Sequence, residues 1–364
     1  MVLCNIPSFL LVYTNPALSS ITSILTSLFL ILYFINAKPK QKIAIPFILF
    51  SILYFAISSF NYNGFELELI KEFVRFIVLI LGITEVMYRS SYKELFYILL
   101  IGAISIILNA LVFPQTNALY GLVQGRYSGF FLNPNLAGIT CLLGIAISYS
   151  INNTKHRLIG QAIFTLAGIL TLSRTFIVVW VLINILAVVK DRKNLLAPII
   201  GMFALILVVT FSNKKLFAAD RFEALTAFFA EGEVKTKTIK NDSRDQTWAQ
   251  YYDYVFEKPF FGNGYKSFQV KTKKLPGAHN TFLMIIGESG IFPFLIFIGL
   301  YFYLFKNSLK YFKKEPNLIY ILIVVLLNFM VSHTFFANYQ SMALSLFIYL
   351  KIRNYDNSSE LDLT

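Results

Sequence analysis

Apolar residues occupy most of the chain in long runs that short polar connections separate. Many runs extend over about 17–22 residues, and an α-helix needs about 20 residues to cross about 30 Å of bilayer hydrocarbon. The pattern predicts membrane-spanning helices over residues 17–35, 43–60, 71–87, 94–113, 134–150, 158–172, 175–189, 195–211, 281–305, 318–332 and 342–350. Residues 2–13 are apolar but short, so we expect about 11–12 spans.

One long polar stretch, residues 213–279, interrupts these apolar blocks. A soluble domain would not collect its polar residues in a single insertion, whereas a membrane protein with one large extramembrane loop would. The sequence therefore predicts four parts. They are an N-terminal transmembrane bundle (1–212), the large loop (213–279), C-terminal transmembrane helices (280–353) and a polar tail (354–364).

Composition supports the same fold class. Hydrophobic residues make up 57% of the chain and charged residues 14%, and the mean hydropathy is +0.64. An average soluble domain has roughly 25% charged residues. We predict an all-α, polytopic bundle of membrane-spanning helices.

The net charge of +13 predicts the orientation of this bundle. Positive residues lie in short clusters after every second predicted span, at residues 38–42, 89–93, 155–157, 190–193, 306–314 and 351–353. Cytoplasmic connections of membrane proteins carry an excess of Lys and Arg. We therefore expect these clusters and the C-terminus to be cytoplasmic and the large loop to lie outside. Because the charge has this distribution, no nucleic-acid partner is expected.

The large loop contains one predicted amphipathic helix. Trp248, Tyr251, Tyr252, Val255 and Phe256 recur at helical spacing, and Lys258-Pro259 follows as a stop. Ser243 and Gln246 form a capping-box pattern, which places Arg244 in the first turn. A helix N-terminus with an arginine suits a phosphate group. The alternative is that Arg244 pairs with Asp242 or Asp245.

Further arginines fall on the predicted outer side. Ser173 can cap the helix that begins at Arg174, and a charge at that depth is either functional or extends to the interface. Arg126 precedes Asn133-Pro134, which reads as an N-cap followed by proline at the first helical position. Arg221, in the large loop, is a weaker candidate.

Two histidines and a carboxylate complete the candidate set. His279 ends the loop directly before Asn280, and it is the preferred candidate for proton transfer because histidine titrates near neutrality. His333 ends a predicted span on the outer side, where it is either structural or a second polar group of the site. Glu288 lies inside a predicted span, and carboxylates there are functional candidates by default.

Several motifs are absent from the sequence. There is no Walker loop, no Cys/His cluster with metal-ligand spacing and no GxSxG motif. Cys4 and Cys141 lie in apolar surroundings, where packing is the expected role. The sequence therefore gives little support for an ATP-driven or metal-dependent mechanism, and no cofactor is expected.

Taken in order, the candidate residues form a series of motifs. The series comprises Arg126 through Asn133-Pro134-Asn135, Ser173-Arg174, Arg244 with Trp248, Lys258-Pro259-Phe260-Phe261-Gly262-Asn263-Gly264, His279-Asn280 and Gly287-Glu288-Ser289-Gly290-Ile291. This series resembles the O-antigen polymerase and O-antigen ligase superfamily of bacterial envelope enzymes. The resemblance covers about residues 125–298.

The resemblance implies an inverting, metal-independent glycosyltransferase of the membrane-embedded GT-C type in the bacterial inner membrane. Its donor and acceptor would be undecaprenyl-diphosphate-linked glycans at the outer leaflet, beside a periplasmic loop. Carried over by position, Arg174 and Arg244 would bind the diphosphate, with Arg126 and Arg221 as further members, and His279 would activate the acceptor. Asn280, Glu288, His333 and Trp248 would support the site. A chain-length regulator protein and a flippase are candidate partners.

Three functions are consistent with the sequence. A polymerase would extend lipid-linked repeat units, and the modest loop favours this interpretation. A ligase would use the same donor and transfer glycan to lipid A–core. A polysaccharide or solute transporter is the third, but the sequence shows no internal repeat of the kind common in secondary transporters.

Overall fold

A computed structural model describes residues 2–38, 40–61, 64–113, 125–211, 244–272 and 275–361. The regular secondary structure of these residues is helical, with no strand among them, which confirms the predicted all-α class. The α-helices are α1 (Ile6–Tyr13), α2 (Pro16–Asn36), α3 (Ile45–Ser58), α4 (Glu66–Arg89), α5 (Tyr92–Leu111), α6 (Pro134–Ser148), α7 (Thr154–Leu170), α8 (Arg174–Lys190), α9 (Leu196–Phe211), α10 (Arg244–Glu257), α11 (Thr281–Ser289), α12 (Ile291–Lys310), α13 (Asn317–Phe329) and α14 (Tyr339–Leu361). Within the same described ranges, two short 3₁₀ helices cover Gly129–Phe131 and Arg192–Leu195.

Three of the described helices are long and apolar enough to cross a membrane, namely α2, α5 and α12. Shorter apolar helices begin at Ile45, Pro134 and Asn317. A polytopic helical membrane protein accounts for these elements. The number of spans and the position of the loop outside the membrane stay predictions, and so does the four-part division of the chain.

The predicted span over residues 281–305 is wrong in one respect, because it consists of two helices. The chain turns at Gly290, whose φ of 75° and ψ of −167° belong to a region that essentially only glycine adopts. A Cβ at Gly290 would lie 2.1 Å from the carbonyl oxygen of Phe260. The hydropathy pattern missed this break because a glycine between apolar residues does not interrupt an apolar run.

The described chain forms two compact units. Unit 1 comprises residues 1–24 and 90–241, and unit 2 comprises residues 25–89 and 242–364. In unit 1, α5, α6 and α7 pack on one another, and every side chain of α6 from Ala137 to Ser148 is buried. Glycines allow close contact between these helices. A Cβ at Gly144 or Gly160 would fall 2.2 Å from a ring atom of Phe164 or Phe96.

In unit 2, an aromatic cluster joins α3, α4, α12 and α13 to the segment before α14. Its members are Phe50, Tyr54, Phe55, Phe76, Phe297, Phe329, Phe335 and Phe336, all of them buried. Tyr54 stacks on Phe336 with ring centroids 4.2 Å apart. Because large aromatic side chains dominate core energetics, this cluster fixes the segment around residue 335 against α3. That segment contains His333.

Candidate functional site

Arg174 begins α8 directly after a tight turn in unit 1. The Ser173 hydroxyl accepts a hydrogen bond from the backbone N–H of Phe176 at 3.4 Å, so the predicted cap is confirmed. Leu172, just before the cap, has a left-handed φ of 46°. Arg174 is exposed, and no described residue forms an ion pair with it. The guanidinium and the helix N-terminus together suit an anion.

Arg126 lies in the same unit but is buried, with 6% of its surface exposed. Its Nε donates a hydrogen bond to the carbonyl oxygen of Thr171 at 2.9 Å, and its Nη2 donates to Oδ1 of Asn135 at 2.9 Å. The Asn133 side chain caps α6 through the N–H groups of Asn135 and Leu136, as predicted. Arg126 therefore links the start of α6 to the turn that precedes Arg174.

Arg244 is the first residue described in α10, and it is half-buried. This helix confirms the predicted amphipathic element and ends directly before Lys258. Fewer residues of its predicted apolar face are buried than expected. Tyr251 and Val255 are buried, whereas 46% of Tyr252 and 78% of Phe256 are exposed. Trp248, one turn after Arg244, is half-buried.

The helix that carries Arg244 docks in unit 2 beside the segment that carries His279. The hydroxyl of Tyr251 donates a hydrogen bond to the carbonyl oxygen of Pro276 at 3.0 Å. The Tyr251 ring also lies 4.7 Å from the ring of Phe268, measured between centroids. Burial raises the pKa of Tyr251 to about 12, so this hydroxyl keeps its proton at neutral pH.

His279 is exposed between two buried neighbours, Ala278 and Asn280. Its backbone N–H donates a hydrogen bond to Nδ1 of His333 at 2.9 Å. The two imidazole rings lie 4.8 Å apart between centroids. His279 is therefore presented at the surface of unit 2 on a backbone that its neighbours hold.

Asn280, directly after His279, is the N-cap of α11. Its Oδ1 accepts a hydrogen bond from the backbone N–H of Leu283 at 3.0 Å, which caps the N-terminus of α11. The position of His279 is thus tied to the start of this helix.

Glu288, at the end of α11, is completely buried and accepts three hydrogen bonds. The donors are the Tyr54 hydroxyl at 2.5 Å, Nε2 of Gln269 at 2.8 Å and the backbone N–H of Phe268 at 2.9 Å. The carbonyl oxygen of Phe268 in turn accepts from the N–H of Ala278 at 2.9 Å. The carboxylate therefore holds Phe268, and through it Ala278, the residue directly before His279.

Sequence reasoning missed two partners of this carboxylate, Tyr54 and Gln269. They lie 234 and 19 residues away from Glu288 in sequence. Tyr54 lies in a long apolar run and Gln269 in the polar loop, and no local sequence motif marks either residue.

Burial and the nearby His279 lower the pKa of His333 to about 4. His333 is therefore neutral at physiological pH. It lies in the loop between α13 and α14, and 54 residues separate it from His279 in sequence.

Some predicted site residues fall outside the described part of the chain. Arg221, Asp242 and Ser243 lie within residues 212–243, which the structure does not describe. Of the described candidates, Arg126 and Arg174 belong to unit 1, and Arg244, His279, Glu288 and His333 belong to unit 2. Within unit 2, the hydrogen bonds above join Glu288 and His333 to the segment that carries His279.

Among the described residues, no group of three or more His, Cys, Asp and Glu side chains is arranged to hold a metal ion. Both cysteines, Cys4 and Cys141, are buried and free.

The family model described as O-antigen ligase matches residues 159–298. No curated protein and no solved structure matches the chain. The matched residues begin in α7 and end in α12, and they include Arg174, Arg244, His279 and Glu288. The match over residues 159–298 supports the resemblance of the chain to the O-antigen polymerase and ligase superfamily.

Proposed function

We propose that the chain is an O-antigen polymerase, a glycosyltransferase that joins undecaprenyl-diphosphate-linked repeat units at the outer leaflet of the bacterial inner membrane. The modest length of the large loop favours the polymerase over the ligase. The observation that most supports the transfer chemistry common to both is the family match. It covers Arg174, Arg244 and His279 together, and these are the residues to which the chemistry is assigned. A flippase that delivers the donor to the outer leaflet is part of the proposal.

The proposed reaction is a displacement at the anomeric carbon of the donor sugar. The acceptor hydroxyl oxygen attacks this carbon from the face opposite the diphosphate, so the configuration inverts. The bond between the carbon and the diphosphate oxygen breaks, and its electron pair leaves with the diphosphate. His279 takes the proton of the attacking hydroxyl.

Arginines replace a metal ion in this proposal. Charge develops on the diphosphate as its bond to the sugar breaks, and fixed positive groups stabilise that charge most effectively where water is scarce. Arg174 at the start of α8 and Arg244 at the start of α10 are assigned this role, because each combines a guanidinium with a helix N-terminus. Arg126 is assigned a supporting role, since it holds the turn before Arg174.

An O-antigen ligase is the second candidate. The description of the matching family model favours it. The donor and the displacement would be the same, and only the acceptor, a lipid A–core sugar, would differ.

The test is to incubate the purified protein in nanodiscs with a lipid-linked repeat unit, with and without lipid A–core. A polymerase lengthens the lipid-linked glycan without lipid A–core, whereas a ligase forms product only when lipid A–core is present. Absence of transfer to either acceptor contradicts the proposed function.

The role of His279 is tested in the same assay with His279→Ala and the matched control His156→Ala. General acid–base groups typically contribute about 10²–10⁴-fold, so His279→Ala should lose at least about 100-fold in kcat. His156 is exposed and lies in unit 1, so its replacement should leave kcat unchanged. Wild-type turnover by His279→Ala would remove this residue from the reaction.

A further inference from the structure

The backbone of His279 adopts an uncommon conformation. Its φ is 47°, in the left-handed region that side-chain-bearing residues rarely occupy. Such conformations persist when surrounding contacts hold them, and they are concentrated at functional sites. The contacts that hold His279 therefore decide where its imidazole points.

One of these contacts comes from a second histidine. The N–H of His279 donates to Nδ1 of His333 over 2.9 Å. A backbone N–H group can only donate, so Nδ1 must supply a lone pair. The ring of His333 is consequently neutral, with its proton on Nε2, and this conclusion follows from the geometry of the contact alone.

His333 is itself well placed to act as a fixed support. The Thr281 hydroxyl donates a hydrogen bond to the carbonyl oxygen of Ser332 at 2.7 Å, which joins the two segments at a second point. The His333 ring also packs closely on Gly277. A Cβ built there would lie 3.0 Å from Cε1 of His333.

We propose that His333 is a positioning residue, which fixes the left-handed backbone of His279 through Nδ1 and thereby directs the His279 imidazole toward the acceptor hydroxyl. This inference rests on the proposed role of His279 as the proton acceptor. His333 touches no reacting atom in this account. Its contribution is to reduce the number of directions that the exposed His279 side chain samples.

The positioning role has a measurable consequence. A catalytic base must lie within hydrogen-bond distance of the proton that it accepts. A misplacement of about 1 Å can lower a rate by about 10²-fold. Loss of the His333 contact should therefore lower kcat, while KM for the lipid-linked donor stays close to the wild-type value.

Two substitutions separate the hydrogen bond from the packing of the ring. His333→Asn keeps an acceptor, because Oδ1 of asparagine lies as many bonds from Cβ as Nδ1 of histidine does. His333→Phe keeps an aromatic ring but has no acceptor. His156→Phe is the matched control, since Nδ1 of that exposed histidine contacts the Tyr97 hydroxyl at 3.1 Å in unit 1.

The expected result is a kcat within about threefold of wild type for His333→Asn and about 10²-fold lower for His333→Phe, at similar KM. His156→Phe should match wild type. The proposal is overturned if His333→Phe retains the wild-type kcat. It is also overturned if the Asn and Phe variants lose kcat equally while they unfold at the same temperature.

A second measurement uses the unmodified protein and needs no activity. The chain has three histidines, so ¹⁵N-histidine NMR spectra in nanodiscs contain three ring systems that single substitutions assign. His333 should show an unprotonated Nδ1 and a protonated Nε2 at neutral pH. A protonated Nδ1, or rapid exchange between the tautomers, overturns the proposal even if the Phe variant fails to fold. Inactive wild-type protein with the expected spectrum would instead count against the proposed function.

Discussion

Arg126 has a charged side chain, but its contacts within the protein are structural. Its guanidinium donates to the Thr171 carbonyl oxygen and to the Asn135 amide oxygen, and the side chain is buried. Hydrogen bonds from charged groups are worth about 1.5–3 kcal/mol each, and a buried acceptor left without its donor is destabilising. We therefore expect Arg126→Ala to lower the free energy of unfolding by about 3 kcal/mol.

Denaturant unfolding in detergent checks this prediction. Arg192→Ala is the matched control, because Arg192 is exposed and follows the opposite end of α8. The control should change the free energy of unfolding by less than about 0.5 kcal/mol. Equal stability of the two variants would show that the Arg126 contacts do not hold the turn.

The low pKa of His333 predicts how stability depends on pH. The unfolded chain binds a proton at His333 below pH 6.5, whereas the folded protein binds it only near pH 4. Since the unfolded state binds more protons in this window, stability should fall as the pH decreases from 6.5 to 4. The responsible surroundings are the buried position of His333 and the neighbouring His279.

Thermal midpoints measured between pH 4 and pH 7 test this prediction. The wild-type midpoint should fall more steeply with decreasing pH than that of His333→Asn, which cannot titrate at this position. Parallel curves for the two proteins would mean that His333 does not carry the effect.

At the scale of single residues, the sequence predicted correctly those contacts that join residues close to one another in the chain. The caps formed by Ser173 and Asn133 were predicted because a capping residue acts on N–H groups two or three residues away. The contact between His279 and His333 was not predicted, because 54 residues separate the partners and only the packed fold unites them. The carbonyl oxygen of Thr171, which lies 45 residues from Arg126 in sequence, was missed as its acceptor for the same reason.

At the scale of elements, the junction between α11 and α12 depends on one glycine. Gly290 has a φ of 75°, and an added Cβ would lie 2.1 Å from the Phe260 carbonyl oxygen. The backbone cannot relieve this contact without moving the segment that follows α10. Gly290→Ala should therefore prevent correct assembly or strongly lower the thermal midpoint.

Gly299, in the interior of α12, is the matched control. A Cβ added there meets nothing within 4 Å. Alanine is favoured over glycine in a helix interior by about 0.5–1 kcal/mol, so Gly299→Ala should be neutral or stabilising. Thermal unfolding of both variants in the same detergent is the measurement. Equal midpoints would contradict the role of Gly290 as the turn between two helices.

This junction also marks the limit of the hydropathy pattern. The pattern located helices over most of the predicted spans, because the burial of apolar side chains decides where they lie. It merged α11 with α12, since backbone conformation at a single glycine leaves no trace in hydropathy. The pattern also did not predict how narrow the buried face of α10 is. Tyr252 and Phe256 recur at the spacing of an apolar helix face, but both side chains are exposed.

At the scale of the whole molecule, the distribution of positive residues predicts the orientation in the membrane. Lys271 lies in the large loop and Lys313 in a basic cluster, and both side chains are exposed. A membrane-impermeant thiol reagent added to intact cells should therefore label Lys271→Cys. It should label Lys313→Cys only after the inner membrane is permeabilised.

The native cysteines are buried, which keeps the background of this experiment low. Labelling of Lys313→Cys in intact cells, with Lys271→Cys protected, would reverse the predicted orientation. It would also place the candidate site on the cytoplasmic side, where the proposed outer-leaflet reaction does not occur.

The central claim is that arginines at helix N-termini bind the diphosphate of the lipid-linked donor. The most direct measurement is the affinity of the protein for undecaprenyl diphosphate in nanodiscs, for wild type, Arg174→Ala and Arg244→Ala. Each substitution should weaken binding by about tenfold or more, because hydrogen bonds to charged groups are worth about 1.5–3 kcal/mol. Wild-type affinity in either variant would contradict the account.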